Sequence, residues 1–232
     1  MSDTVMTTMV QTSFPGFVSD VPTVPSVLPV VMGDVIFTRW KAFSSRLTEW
    51  VTHGKAAHVE QVCCDNHGEV QILAASMAMD RMVCWDLDAR IAYFEKEKID
   101  WCRFTPAVPL TFEQRRILHN FIEEAQNTFT YSRGELILQA MDSFKNWICN
   151  TPYDSQKAVW FRKLGNIKKT DVICSKTVNI GLVRLEFFPE WAQFWSPSDT
   201  LNKIQSSTSW KLAEATPGFF GEVVKVEPIG SK

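Results

Sequence analysis

A lone cysteine in "DVICSKTVNIGL", residues 171–182, stands where a polar, basic stretch gives way to helical spacing. Ile173, Thr177, Ile180 and Gly181 set the period, and Asp171 can cap the helix, so Cys174 falls in its first turn. Unpaired N–H groups and the positive end of the helix dipole favour a thiolate there, and Lys168, Lys169 and Lys176 push the same way. The thiolate is the reactive form of cysteine, so this context suits a nucleophile. The competing reading is a buried structural thiol.

A histidine is the natural partner of such a cysteine. His58 starts the apolar stretch "AAHVEQVCC", residues 56–64, with Cys63 and Cys64 downstream. Zinc ligation by these three is a poor fit. Adjacent residues of a strand point to opposite faces, so Cys63 and Cys64 cannot grip one ion together with His58. A catalytic base serving the distant Cys174 is the alternative.

The elements that would position these residues are mixed. "GDVIFTRW" from Gly33 reads as a first strand, and "KAFSSRLTEWVTH" has helical spacing. Strands are expected over about 57–64 and 69–76, joined by the turn "DNHG", then at "RMVCW" and "IDWCRF". Between the last two, "DLDARIAYFEKEK" is a helix with Asp86 as its cap. "LTFEQRRILHNFIEEAQNTF" is a helix starting at Thr111, with Phe112, Ile117, Leu118, Phe121 and Ile122 on its buried face. "SRGELILQAMDSFKNWI" is another, and "SDTLNKI" a later one capped by Ser198. The tail "GFFGEVVKVEPI" alternates as a last strand. Strands gather early and helices later, which makes the fold class α+β.

The order of these pieces carries a resemblance: the "GD" strand, the histidine strand "AAHVEQV", the helix "LTFEQRRILHNFIEEA", the turn "TFTYSRGELI", then "ICSKTVNIGL" and "SPSDTLNKI". Over roughly residues 32–205 it resembles the circularly permuted NlpC-type papain-like hydrolases, in which the histidine precedes the cysteine. The resemblance implies a small antiparallel sheet or half-barrel packed on the cysteine helix, with Cys174 as nucleophile and His58 as general base. The family's third position is a polar residue, often acidic, on the strand after the histidine strand. That strand, "VQILAAS", has no carboxylate, so Gln71 is the best match, with Glu60 or Glu69 as weaker ones. Tyr131 and Ser132 fall where the family has an aromatic-polar turn beside the site. Ser175 is expected to cap or pack. The activity implied is that of a thiol hydrolase or acyltransferase working through an acyl-enzyme on a peptide or acyl-bearing substrate, without a cofactor. The missing acidic residue supports a rival: an interaction module on the same fold, a subunit of a larger assembly such as a virion.

Composition sets the outer limits. The 232 residues are 45% hydrophobic, enough for a sizeable core. A net charge of −2 gives no electrostatic case for nucleic acid. No apolar run is long enough for a membrane span. The first basic residue is Arg39, so no secretory signal is expected and synthesis in a cytoplasm is, with a virion or release by lysis as routes outward. Residues 1–31, rich in Ser, Thr, Val and Pro, read as an irregular arm ahead of a hydrolase domain over 32–232, and the arm's apolar side chains suit a protein partner. Six irregularly spaced cysteines make a disulfide framework improbable. Of the nine tryptophans, those in "EFFPEWAQFWSPSD" are expected in the core, with a groove wall or a docking face as the alternative.

Overall fold

The computed structural model describes residues 28–40, 49, 54–65, 67–149, 151 and 170–220. The expected helix over 41–53 apart from Glu49, nearly all of the N-terminal arm and the tail beyond Phe220 lie outside these residues. The fold is α+β. One sheet holds eight strands: β1 (Val35–Arg39), β2 (His58–Cys64), β3 (Val70–Ser76), β4 (Arg81–Asp86), β5 (Asp100–Pro106), β6 (Thr130–Tyr131), β7 (Asp171–Val172) and β8 (Trp210–Ala215). Their order is β7-β6-β4-β3-β2-β1-β5-β8. All pairings are antiparallel except β6 with β7.

Alternation along the strands divides the core. Val35, Phe37, Val59, Cys63, Leu73 and Ala75 face one side of the sheet. There they pack against α2 (Phe112–Thr128), α4 (Cys174–Arg184) and α5 (Pro197–Gln205). Ile36, Val62 and Ile72 face the other side and meet Phe94 of α1 (Leu87–Lys96) with Ile99 and Trp101. Helix α3 (Arg133–Ile148) turns Glu135, Gln139 and Asp142 inward and leaves Ile137, Met141, Phe144 and Ile148 exposed.

Several helix starts follow their local sequence signals. Asp86 accepts the Ala89 N–H at 2.7 Å and begins α1. Thr111 and Gln114 form a reciprocal capping box at α2. The buried face of α2 holds Leu118, Phe121 and Ile122 as expected, but Phe112 is exposed because it sits at N1, turned away from the sheet. The cap of α5 is Ser196, not Ser198, since Asp199 completes a capping box with Ser196. Ser198 is buried and donates to the Ala56 carbonyl at 3.0 Å, tying α5 to the chain just ahead of β2. The last described strand is Trp210–Ala215, and the strand expected in the tail falls almost wholly outside the described residues. Phe188 and Trp195 are core, as their apolar neighbourhood predicts.

Helix α4 lies against β2, and Gly181 makes the approach possible. A Cβ at that position would stand 2.7 Å from Gln61 Oε1 and 3.1 Å from Phe121. Gln61 is fully buried, so it has little room to withdraw. Gly181→Leu is expected to push α4 off β2 and cost about 1–3 kcal/mol. A denaturation midpoint unchanged from the native chain would contradict this.

Candidate functional site

The site forms where two neighbouring strands part. Pairing of β1 with β2 covers His58–Gln61, whereas pairing of β2 with β3 covers only Gln61–Cys64. Beyond Gln61, Ala74–Ser76 of β3 pair with β4 alone. The Val62 N–H donates to Asp34 on the β1 side, so the alternate N–H groups of Val59 and Gln61 point toward β3. At Val59 β3 has already moved away. The start of α4 fills the gap, and the Val59 N–H is directed at the Cys174 sulfur.

Cys174 is the first residue of α4. Ile173 is the N-cap residue, with no side-chain cap, and Asp171 lies in β7 instead of capping the helix. Burial opposes ionisation of the Cys174 thiol, yet its pKa is lowered: the His58 imidazolium and the N–H groups of Val59 and Ser175 outweigh burial. Lysines are not among these causes. Lys176 donates to the Asp171 carbonyl at 2.7 Å and pairs with Glu135 at 3.6 Å, while Lys168 and Lys169 lie outside the described residues.

Cys174 and His58, 116 positions apart in sequence, come into hydrogen-bonding contact. His58 Nε2 meets Glu60 Oε1 at 3.1 Å, which leaves Nδ1 for the sulfur. Burial alone would lower the His58 pKa, but the Cys174 thiolate and the Glu60 carboxylate together raise it to about 10. Both shifts run in the direction that favours a thiolate beside an imidazolium.

Gln71 does not orient His58. It sits opposite Cys63, five residues along β2 from His58, or about 16 Å of extended chain. Its backbone carbonyl accepts from the Cys63 thiol at 3.5 Å. The orienter is Glu60, two residues after His58 on the same face of β2. Its side chain is fully buried, and Arg90 of α1 contacts both of its oxygens, Nε to Oε2 at 3.2 Å and Nη2 to Oε1. Burial works against the Glu60 charge, and His58 and Arg90 overcome it, holding the carboxyl below its usual range. The H-x-E spacing is visible in the sequence, since i and i+2 share a strand face. The Arg90 partnership, from a helix on the far side of the sheet, had no local signal.

Tyr131 of β6 lies close enough to Cys174 to feel its charge. Burial first, then the thiolate, push its phenol up to about 12, so it stays a proton donor. Ser175 is fully buried and accepts from Gln139 at 3.1 Å, a packing role as expected. Gln139 and Asn179 both donate to the Trp195 carbonyl, at 3.3 and 3.2 Å, and Thr200 donates to Asn179 at 2.9 Å. This polar layer locks α4 against the segment before α5. The six cysteines are free thiols. No cluster of metal-ligating side chains, and no helix long and apolar enough to cross a membrane, occurs among the described residues.

The thiolate–imidazolium pair makes stability depend on pH. The unfolded chain holds one proton on this pair between the ordinary histidine and cysteine values, roughly pH 6.5 to 8.5, as does the folded chain, so the contribution is flat there. Above that window it is lost as pH rises through about 10, where His58 deprotonates. Below it, the contribution fades as pH falls through the lowered Cys174 value. The gap in urea midpoint between the native chain and Cys174→Ala is expected to plateau near neutrality and shrink as pH rises from about 8.5 to about 10. A gap still widening at pH 11 would refute the ion pair.

No family profile matches the sequence, and no curated protein matches it. Among solved structures the chain is similar to the Escherichia coli O157:H7 metalloprotein yiiX (DUF1105), at 12% identity and a TM-score of 0.44, over 83% of this chain and 92% of that one.

Proposed function

We propose that this chain is a thiol hydrolase or acyltransferase of the permuted NlpC-type papain-like class, acting on amide or ester bonds. The observation that carries this reading is the Cys174–His58–Glu60 constellation at a helix start, with the thiol lowered and the imidazole raised. Cys174 attacks the substrate carbonyl carbon and forms a tetrahedral oxyanion. His58, cationic at rest, gives its proton to the leaving amine or alcohol as the carbonyl reforms. The neutral imidazole then takes a proton from water, or from an acceptor alcohol, which attacks the thioester and releases Cys174. Glu60 keeps the ring angle and stabilises the imidazolium between steps.

The oxyanion needs donors that do not have to rearrange. The Cys174 N–H in the first turn of α4 is one candidate. The Tyr131 phenol, protonated and near the sulfur, is the second. Glu60 beside His58 weakens one of the supports for an interaction module, the missing acidic residue; the apolar arm and the Trp-rich segment still favour that rival. Peptide amides and acyl esters remain the two substrate classes this chemistry serves.

The direct test offers an activated substrate, a p-nitrophenyl acyl ester, and looks for an acyl adduct by mass spectrometry. The adduct is expected on Cys174 alone. Cys174→Ala should abolish it, and His58→Ala should slow turnover by about 10²–10⁴-fold. Gln71→Ala should leave the rate unaltered. Adducts spread over several cysteines, or turnover surviving in Cys174→Ala, would remove the hydrolase reading.

A further inference from the structure

The Glu60 carboxylate is fully buried, and His58 alone could not balance it while also balancing the Cys174 thiolate. Arg90 supplies the missing charge. Its guanidinium grips both Glu60 oxygens and lies 5.0 Å from the Phe94 ring, 5.4 Å from Tyr93 and 6.0 Å from Trp85. Those rings cover much of it, leaving the side chain 14% exposed, and favour a cation over their faces. Read from the sulfur inward, the groups alternate: Cys174 negative, His58 positive, Glu60 negative, Arg90 positive.

We propose that Arg90 is a positioning residue of the reactive site, whose fixed charge keeps Glu60 ionised and thereby allows Cys174 to rest as a thiolate. This rests on the hydrolase reading above. The reasoning is charge balance in a poorly solvated volume. With all four groups charged the chain of charges sums to zero. Without Arg90 it would carry one excess negative charge, and the cheapest relief is a proton on the sulfur, which leaves His58 paired with Glu60. Other charged groups do not replace it. Lys176 is committed to Asp171 and Glu135, Asp86 caps α1 through the Ala89 N–H, and Tyr131 is a neutral phenol.

The sign of the effect separates charge balance from mere packing. Arg90→Gln leaves one excess negative charge and should weaken the thiolate. Glu60→Gln combined with Arg90→Gln is neutral again and should recover it, although two native contacts are gone. A purely structural role predicts the reverse, with the double variant worse than the single.

The experiment follows iodoacetamide labelling of Cys174 against pH in the full chain, by peptide mass spectrometry. Arg90→Gln is expected to raise the labelling midpoint by about one pH unit or more, and so to slow labelling about tenfold below that midpoint. The double variant should bring the midpoint back toward the native one, and Arg90→Lys should hold it near native. An unchanged midpoint in Arg90→Gln, or a double variant displaced further than the single, overturns the proposal. If Arg90→Gln does not fold, Arg90→Lys decides: a native-like midpoint supports the proposal, and a rise of a full unit overturns it. A native chain in which Cys174 labels no earlier than the other cysteines overturns both this proposal and the hydrolase reading. Selective native labelling with an unmoved Arg90→Gln midpoint overturns this proposal alone.

Discussion

Two negative charges, the Cys174 thiolate and the Glu60 carboxylate, lie on opposite sides of one imidazole with little water to solvate either. Each buried anion must find its own cation or donors, or take up a proton. His58 serves both anions, so two further sources are required. For the thiolate they are backbone N–H groups. For the carboxylate the source is Arg90, delivered from α1 across the sheet. Helices α1 and α4 lie on opposite faces of the sheet, with the end of β2 between them.

The parting of β2 from β3 creates the backbone donor. A strand N–H facing a paired neighbour is already used, and one facing solvent is screened by water. The Val59 N–H avoids both fates because β3 leaves after Gln61 and the first turn of α4 moves in. Gly181 lets the helix sit close enough, and the Gln139–Asn179–Thr200 layer keeps it from sliding. Small residues and amides far from the sulfur thus decide where the sulfur is.

Much of this was legible in the sequence because it is local. The strands holding His58 and the helix start at Cys174 follow alternation and period, and Asp86 and Thr111 cap where their side chains allow. His58 and Cys174 were identified from their contexts, and the structure brings them together. A family pattern points to Gln71 on the following strand, but the structure places Gln71 opposite Cys63, away from His58. The simpler fact that residues i and i+2 share a strand face pointed to Glu60. The Ser196 cap was missed by two residues because Ser196 and Ser198 are equally good caps in isolation, and only the reciprocal bond to Asp199 chooses between them. Arg90 and Tyr131 were not assigned their places by sequence for a different reason. Their roles depend on which elements cross the sheet next to β2, and a linear pattern does not encode that.

The buried ion pair of Arg103 with Asp34 has a mechanical side. Arg103 also holds the carbonyls of Leu28 and Pro29, the first described residues of the chain. Those bonds clamp the polypeptide to β5, next to the edge strand β8, on the face that carries α1. A tension applied through the N-terminus is therefore taken up by the sheet at that clamp, before it can reach α4.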